Sequence, residues 1–176
     1  MKEAIFGGGC FWCIEAAFEV VDGVIDVESG YVNGHLKNPS YKEVCTDTTG
    51  HAEVVKITYD ESKIGYQDLL DLFFKIHDPT TLNRQGADYG SQYRSIIITL
   101  DDEQEQIAKE YIKKLQEDYE RKIVTKVEPL KCYYRAEEYH QDYFQKNPYQ
   151  PYCMAVAAPK VEKAKEWMQR RKNELF

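Results

Sequence analysis

Two cysteines three residues apart, Cys10 and Cys13, follow the glycine run Gly7-Gly8-Gly9. A glycine-rich turn behind a strand and ahead of a helix places Cys10 at the helix N-terminus. The free N–H groups and the helix dipole favour an anion there. A thiolate is therefore expected at Cys10, and the thiolate is the nucleophile of sulfur chemistry. Glycine also lets a substrate come close to the backbone. Other uses of the segment fit less well. A dinucleotide fingerprint needs a third glycine where Trp12 stands, and a phosphate loop needs a lysine that is missing. A zinc site would start with Cys10 and Cys13, but no second pair of ligands follows at the right spacing, and His35, His51, His77 and His140 are scattered. No metal is expected. The plain alternative is a buried, inert cysteine; the glycines and the second thiol argue against it. Thiol redox chemistry remains, and a C-x-x-C pair alone is what a general thiol–disulfide oxidoreductase would use.

Three other clusters carry reactive side chains. One joins Tyr41-Lys42-Glu43-Val44-Cys45 to Thr48-Thr49-Gly50-His51-Ala52-Glu53. Another runs from His77 to Ser95 and holds Asp88 and Tyr93, and the last is Ala136-Glu137-Glu138-Tyr139-His140-Gln141. Each alone reads as a solvated loop.

The elements that must position these groups follow from periodicity. Glu3–Phe6 reads as a short strand, and Phe11–Val21 as a helix through Phe11, Ile14 and Phe18, closed by Gly23. Val24–Tyr31 and Val54–Tyr59 read as strands, the latter with Val55, Ile57 and Tyr59 on one face. Val32–Ser40 and Leu82–Gln92 are polar loops. Tyr66–His77 is helical and is broken by Asp78-Pro79. Arg94–Leu100, with three consecutive isoleucines, is a strand buried on both faces. Glu103–Tyr119 is an amphipathic helix with Ile107, Tyr111, Ile112 and Leu115 on one side. Ile123–Val127 reads as a strand ended by Pro129, Ala136–Gln145 as a short helix, and the charged segment from Pro159 as a helix. Strands and helices interleave irregularly, which indicates an α+β two-layer sandwich with helices on one or both faces of a mixed sheet.

Composition bounds the function. The 176 residues suit one domain spanning 1–176. Apolar residues make up 43%, enough for a core, and the net charge of −7 gives no support to nucleic-acid or anionic-membrane binding. No apolar run reaches the length of a membrane span, and the N-terminus has no signal-peptide core. A cytoplasmic location is expected, where Cys10, Cys13, Cys45, Cys132 and Cys153 stay mostly reduced. An odd cysteine count also argues against a purely structural disulfide framework.

The motifs GGCFW, SGYVNG, NPSYKEVC, TGHAE, DPTTLNRQGADYGSQYRS and AEEYHQDYF occur here in one order. In these the chain resembles the A-type peptide methionine sulfoxide reductases from about Phe6 to Cys153. The resemblance implies a mixed sheet with a ferredoxin-like core plus extended loops. It implies reduction of methionine-S-sulfoxide in peptides and proteins, with no cofactor beyond thioredoxin or another dithiol as reductant, by a monomer. By position, Cys10 matches the nucleophile, Glu53 the acid that protonates the sulfoxide oxygen, and Tyr41 and Tyr93 hydroxyls that bind that oxygen. Asp88 matches a carboxylate of the same pocket, and Phe11 and Trp12 the wall that receives the S-methyl group. Cys153 matches a resolving thiol, which would condense with a Cys10 sulfenic acid.

These residue types suit the reaction. A sulfoxide oxygen leaves only when protonated, so a soft nucleophile and an acid must act together. The chain also departs from the family pattern. Asn33-Gly34 stands where Gly-Gly is usual, and Asp47 where Gly is common. A Gly-rich tail with another recycling cysteine is missing, and Cys13 replaces a frequent Gly. Cys13, one turn from Cys10, is thus a rival resolving thiol. His51 and His140 are expected to orient neighbours, and Gln92 and Arg94 to brace Glu53 or Asp88. A general thiol–disulfide oxidoreductase is the alternative enzyme. A non-enzymatic peptide-binding module would retain binding without Cys10.

Overall fold

A computed structural model of the chain describes residues 1–175, with side chains through Glu174. The elements are β1 (Lys2–Gly7), α1 (Phe11–Glu19), β2 (Val24–Val32), α2 (Tyr41–Cys45), β3 (Ala52–Tyr59) and α3 (Tyr66–Ile76). They continue with β4 (Arg84–Gln85), β5 (Asp88–Tyr89), β6 (Ile96–Thr99), α4 (Asp102–Leu115), β7 (Lys126–Pro129) and β8 (Tyr133–Arg135). The last two are α5 (Tyr143–Lys146) and α6 (Ala158–Leu175).

Six strands form one sheet in the order β7-β6-β1-β3-β2-β8. All neighbours are antiparallel except β6 and β7, which run parallel, so the sheet is mixed. Within it, β1-α1-β2-β3-α3-β6 is a β-α-β-β-α-β unit with spatial order β6-β1-β3-β2, the ferredoxin-like arrangement. The helices lie over one face. There Ala4, Phe6, Val55, Ile57 and Tyr59 pack against Phe18, Leu69, Phe73, Ala108 and Trp167. The alternate residues Ile5, Val54, Ile96 and Ile98 join Val32 and Ala52 in a smaller cluster on the other face. Burial on both sides accounts for the unbroken isoleucine run of β6.

Three expectations need correction. The 136–145 helix is two pieces, a 3-10 turn at Glu138–His140 and α5, parted by Asp142 in the left-handed region (φ 56°). The predicted strand at Ile123–Val127 lies further on, at Lys126–Pro129; Pro129 is its last residue, on a sheet-edge strand where a missing N–H costs little. The Leu82–Gln92 loop holds the β4–β5 hairpin and leads into a 3-10 turn at Ser91–Tyr93. Two elements were not foreseen: β8, and α2, which opens on a Ser40/Glu43 capping box.

Among the described residues no helix is long and apolar enough to cross a membrane.

Candidate active site

Cys10 is the N-cap residue of α1, with extended backbone, and is only 6% exposed. Gly9 before it has φ +87°, and its N–H donates to the Tyr93 carbonyl at 3.1 Å. A Cβ there would lie 2.9 Å from the Gln85 side chain, so both conformation and space require glycine. Burial pushes the Cys10 thiol well above its ordinary range, reinforced by its hydrogen bond to Cys13 and by the Glu53 charge. This corrects the thiolate expected at Cys10: desolvation outweighs the helix terminus. Cys13, in the first turn of α1, is pulled below the ordinary value by the hydrogen bond from Cys10. Lys160 and the Tyr152 hydroxyl act in the same direction, against burial.

Glu53 sits on β3 with 1% exposure. The Phe11 N–H donates to its Oε1 at 3.2 Å, which ties the carboxyl to the residue following Cys10. Its Oε2 is buried without a partner among the described residues. Burial raises the carboxyl to about 8 despite that N–H, with Asp88 and Cys13 adding to the rise. Glu53 is therefore protonated at neutral pH, and Oε2 is the free oxygen. The hydroxyls of Tyr41 and Tyr93 are driven up by burial and then by the Glu53 charge, so both remain donors beside it.

The aromatic side of the site is built around Trp12. Its ring stacks on Tyr143 with centroids 3.7 Å apart, and its Nε1–H donates to His140 Nδ1 at 2.9 Å. That bond leaves His140 with its proton on Nε2. Phe11 lies behind, fully buried against Tyr31, Tyr41 and His140. Of the predicted wall, Trp12 presents the open surface and Phe11 backs it. Glu137 anchors this region, accepting from the Tyr31 hydroxyl and the Tyr41 N–H, each at 2.9 Å.

Asp88 comes from β5, and its Oδ2 accepts from the Tyr152 hydroxyl at 2.5 Å. The same hydroxyl lies 3.8 Å from Cys13 Sγ. A cleft of about 900 Å³ reaches Cys10 past Gln85, Asp88 and Tyr152, with Lys160 also on its wall.

Cys10 and Asp88 both line the cleft, Glu53 is tied to the residue after Cys10, its charge acts on Tyr41 and Tyr93, and Trp12 stacks on Tyr41. Cys153 is fully buried in a π-helical turn, Cys153–Ala157, and the charge of Cys13 raises its thiol after burial does. The expectation for Gln92 and Arg94 is corrected. Arg94 donates to the carbonyls of Ser91 and Gly50, bracing two loops, and the Gln92 Oε1 has no partner among the described residues. His51 is a loop post: its Nδ1 accepts from the Gly34 N–H at 3.0 Å and its Nε2 meets the Leu36 carbonyl at 2.7 Å. Cys45 is exposed and Cys132 half-buried, its Sγ 3.5 Å from the Gly34 carbonyl. Sequence reasoning missed Tyr152, Tyr143 and Lys160. Tyr152 adjoins Cys153, a signal that was available, whereas nothing local marks Lys160.

Comparison with known proteins places these residues in context. The family model described as peptide methionine sulfoxide reductase matches residues 2–173. The peptide methionine sulfoxide reductase MsrA of Nautilia profundicola is 60% identical over 163 residues, 93% of this chain and 94% of that protein. The reduced form of Mxr1 from Saccharomyces cerevisiae superposes with a TM-score of 0.80 at 40% identity, covering 85% of this chain and 87% of that one. Mxr1 has also been solved in complex with Trx2, and that structure matches at a TM-score of 0.57 and 28% identity, covering 81% and 84%.

Proposed function

The chain belongs to the peptide methionine sulfoxide reductase family, and from that premise we propose that it reduces methionine-S-sulfoxide in oxidised peptides and proteins through a Cys10 sulfenic acid. The observation that carries the reading is a protonated carboxyl, Glu53, tied to the residue after the Cys10 nucleophile, with one oxygen left free.

The Cys10 sulfur attacks the sulfoxide sulfur, and its S–H proton returns to Glu53 after that carboxyl has given up its own. Glu53 delivers its proton to the sulfoxide oxygen, and the Tyr41 and Tyr93 hydroxyls donate hydrogen bonds to the same atom, an oxyanion-hole role. Trp12, backed by Phe11, receives the S-methyl group; a flat aromatic face suits a methyl beside a polarisable sulfur. Asp88, held by Tyr152, shapes the pocket and helps keep Glu53 protonated. In net terms the oxygen passes to Cys10, methionine leaves, and Cys10 is a sulfenic acid.

A second thiol then displaces hydroxide from that sulfenic acid. Cys13, in the first turn of the helix that Cys10 caps and with its thiol lowered from the ordinary value, and Cys153, at the position where the family keeps a resolving thiol, are the candidates for this step. In a relay, the disulfide passes between Cys13 and Cys153. Thioredoxin or another dithiol reduces the product by exchange; the solved complex of Mxr1 with Trx2 supports that partner. The whole chain acts as one domain and a monomer, in the reducing cytoplasm.

The test is turnover of a short peptide carrying racemic methionine sulfoxide, with dithiothreitol, resolved by chiral chromatography. One epimer should be consumed by the wild type and neither by Cys10→Ser. Insulin reduction without sulfoxide turnover would instead favour a disulfide oxidoreductase working through Cys10 and Cys13.

A further inference from the structure

Cys13 is 1% exposed, and it does not line the cleft that reaches Cys10. A thiol so enclosed has no direct route by which its proton can reach water. One polar side chain spans the gap. The Tyr152 hydroxyl oxygen lies 3.8 Å from Cys13 Sγ and 2.5 Å from Asp88 Oδ2. A tyrosine hydroxyl has a single proton. The short bond commits that proton to Asp88, so toward Cys13 the oxygen offers lone pairs and the S–H is the donor. Cys13 S–H, Tyr152 O–H and the Asp88 carboxylate thus form a hydrogen-bonded chain with one direction.

The chain leads outward, because Tyr152 and Asp88 both line the cleft. Three elements hold it in place. Cys13 stands in the first turn of α1, Asp88 in β5, and Tyr152 just before the π-helical turn Cys153–Ala157. The Tyr152 ring meets the Trp12 indole edge-on, with centroids 6.0 Å apart and planes at 80°, which fixes where the hydroxyl points. The other titratable groups around Cys13 are Cys10 from the start of α1, Glu53 on β3, Cys153 and Lys160. Glu53 already holds a proton, burial keeps Cys153 a thiol, and a lysine ammonium has no acceptor site. The Tyr152–Asp88 pair is the base that remains.

We propose that Tyr152 is a proton-transfer residue of the resolving step and carries the Cys13 proton to Asp88. The inference rests on the sulfoxide reductase reading and takes Cys13, of the two candidate thiols, as the one that attacks. Attack on the sulfenic sulfur runs in line with the S–O bond that breaks. The leaving oxygen is therefore on the far side and does not take the Cys13 proton itself. As the Cys13–Cys10 bond forms, the Cys13 proton moves to the Tyr152 oxygen and the Tyr152 proton moves to Asp88. The S–O bond breaks, and the departing hydroxide takes the Glu53 proton to leave as water. Cys13 is oxidised and the sulfenic sulfur reduced, so no outside oxidant or reductant enters. Exchange with water in the cleft then resets the two carboxyls.

The experiment compares wild type with Tyr152→Phe, which removes the hydroxyl and keeps the ring. Sulfoxide peptide is added without reductant, and methionine release, disulfide and dimedone-trapped sulfenic acid are followed separately across pH. Near neutral pH, Tyr152→Phe should form the disulfide about 10²-fold more slowly, the low end of the general-base range, because a thiol is already partly ionised. Methionine release should fall by a smaller factor, so sulfenic acid accumulates. The deficit should close as pH rises, because Cys13 then ionises without help. Asp88→Asn should show the same pH-dependent lag, and combining it with Tyr152→Phe should add little, since both act in one chain. A deficit equal at every pH would mark a merely structural hydroxyl and overturn the proposal. Disulfide that keeps pace with methionine release in Tyr152→Phe overturns it too, as does a Cys13→Ser protein that forms a Cys10–Cys153 disulfide at the wild-type rate. In each of these outcomes methionine is still released; its absence in the wild type would instead sink the reductase reading.

Discussion

At neutral pH Glu53 holds its proton because it is buried on β3 and meets one N–H, that of Phe11 at the start of α1, where an exposed carboxylate would have several waters. The same burial that makes it an acid limits the range in which it is one. kcat/KM should fall as pH rises through about 8. Glu53→Gln should cost about 10²–10⁴-fold in rate and lose that alkaline limb. A wild-type profile that stays flat through this range would contradict the assignment. His51 is as buried as Glu53, but both ring nitrogens are already engaged within the 34–36 loop. His51→Asn should therefore lower the rate by less than about tenfold, short of the general acid–base range. A loss as large as that of Cys10→Ser, measured in the same assay, would place it in the chemistry instead. Cys10 stands out through its own glycine run and helix start, whereas Glu53 stands out only through the family motif TGHAE and by itself reads as a solvated strand-edge carboxylate. Their protonation was not readable. The helix N-terminus argues for a thiolate at Cys10, and only the depth of burial shows that its thiol is pushed up instead.

At the scale of elements, the strands and helices with apolar periodicity were legible, and those that depend on single backbone positions were not. β8 has three residues and exists because it borders β2 over Gly30–Val32. The break between Glu138–His140 and α5 comes from one left-handed residue, Asp142. α2 was not foreseen, although Ser40 and Glu43 stand at capping-box spacing. The two departures from the family's glycines resolve the same way. Asn33 (φ 58°) and Asp47 (φ 61°) take the left-handed conformation that Asn and Asp tolerate, and each puts its side chain to use. Asn33 Oδ1 accepts from the Lys131 N–H at 2.8 Å, and Asp47 Oδ1 accepts from the Ser91 N–H at 3.1 Å and from the Ser91 hydroxyl. Asp47 so ties the turn after α2 to the turn carrying Tyr93. Asp47→Ala keeps the strained φ and removes both bonds. It should cost about 1–3 kcal/mol in chemical denaturation, and it should raise KM as Tyr93 loses its mooring. Asp47→Gly, which relieves the strain, should recover part of the stability. Equal losses in the two variants would show that the backbone conformation is unimportant there.

For the whole molecule, the burial of acids sets how stability responds to pH. Glu15 bridges α1 to β2 through Ser29 Oγ at 3.0 Å, and its burial raises it to about 7. Glu19 and Asp142 crowd the same spot, their carboxylates within 4.8 Å of one another and of Glu15, and burial takes Glu19 to about 9. With Glu53 at about 8, these three groups bind protons more tightly folded than unfolded. Their stabilising contribution is complete below the unfolded carboxylate value and is lost as pH climbs through about 7 to 9. His77 works in the opposite sense: held neutral down to about 3, it removes stability as pH drops below its unfolded value. The three raised carboxyls should therefore make Tm decline as pH rises from neutrality into the alkaline range. Glu15→Gln keeps the volume and the hydrogen bond to Ser29 while removing the charge. It should raise stability at alkaline pH by about 1–3 kcal/mol and change little in acid. Glu53→Gln should act in the same direction while abolishing the acid that catalysis uses, so the reaction and the fold make opposed demands on one carboxyl. Parallel Tm profiles for wild type and both variants across the alkaline range would show that these buried carboxyls do not govern the stability of the fold.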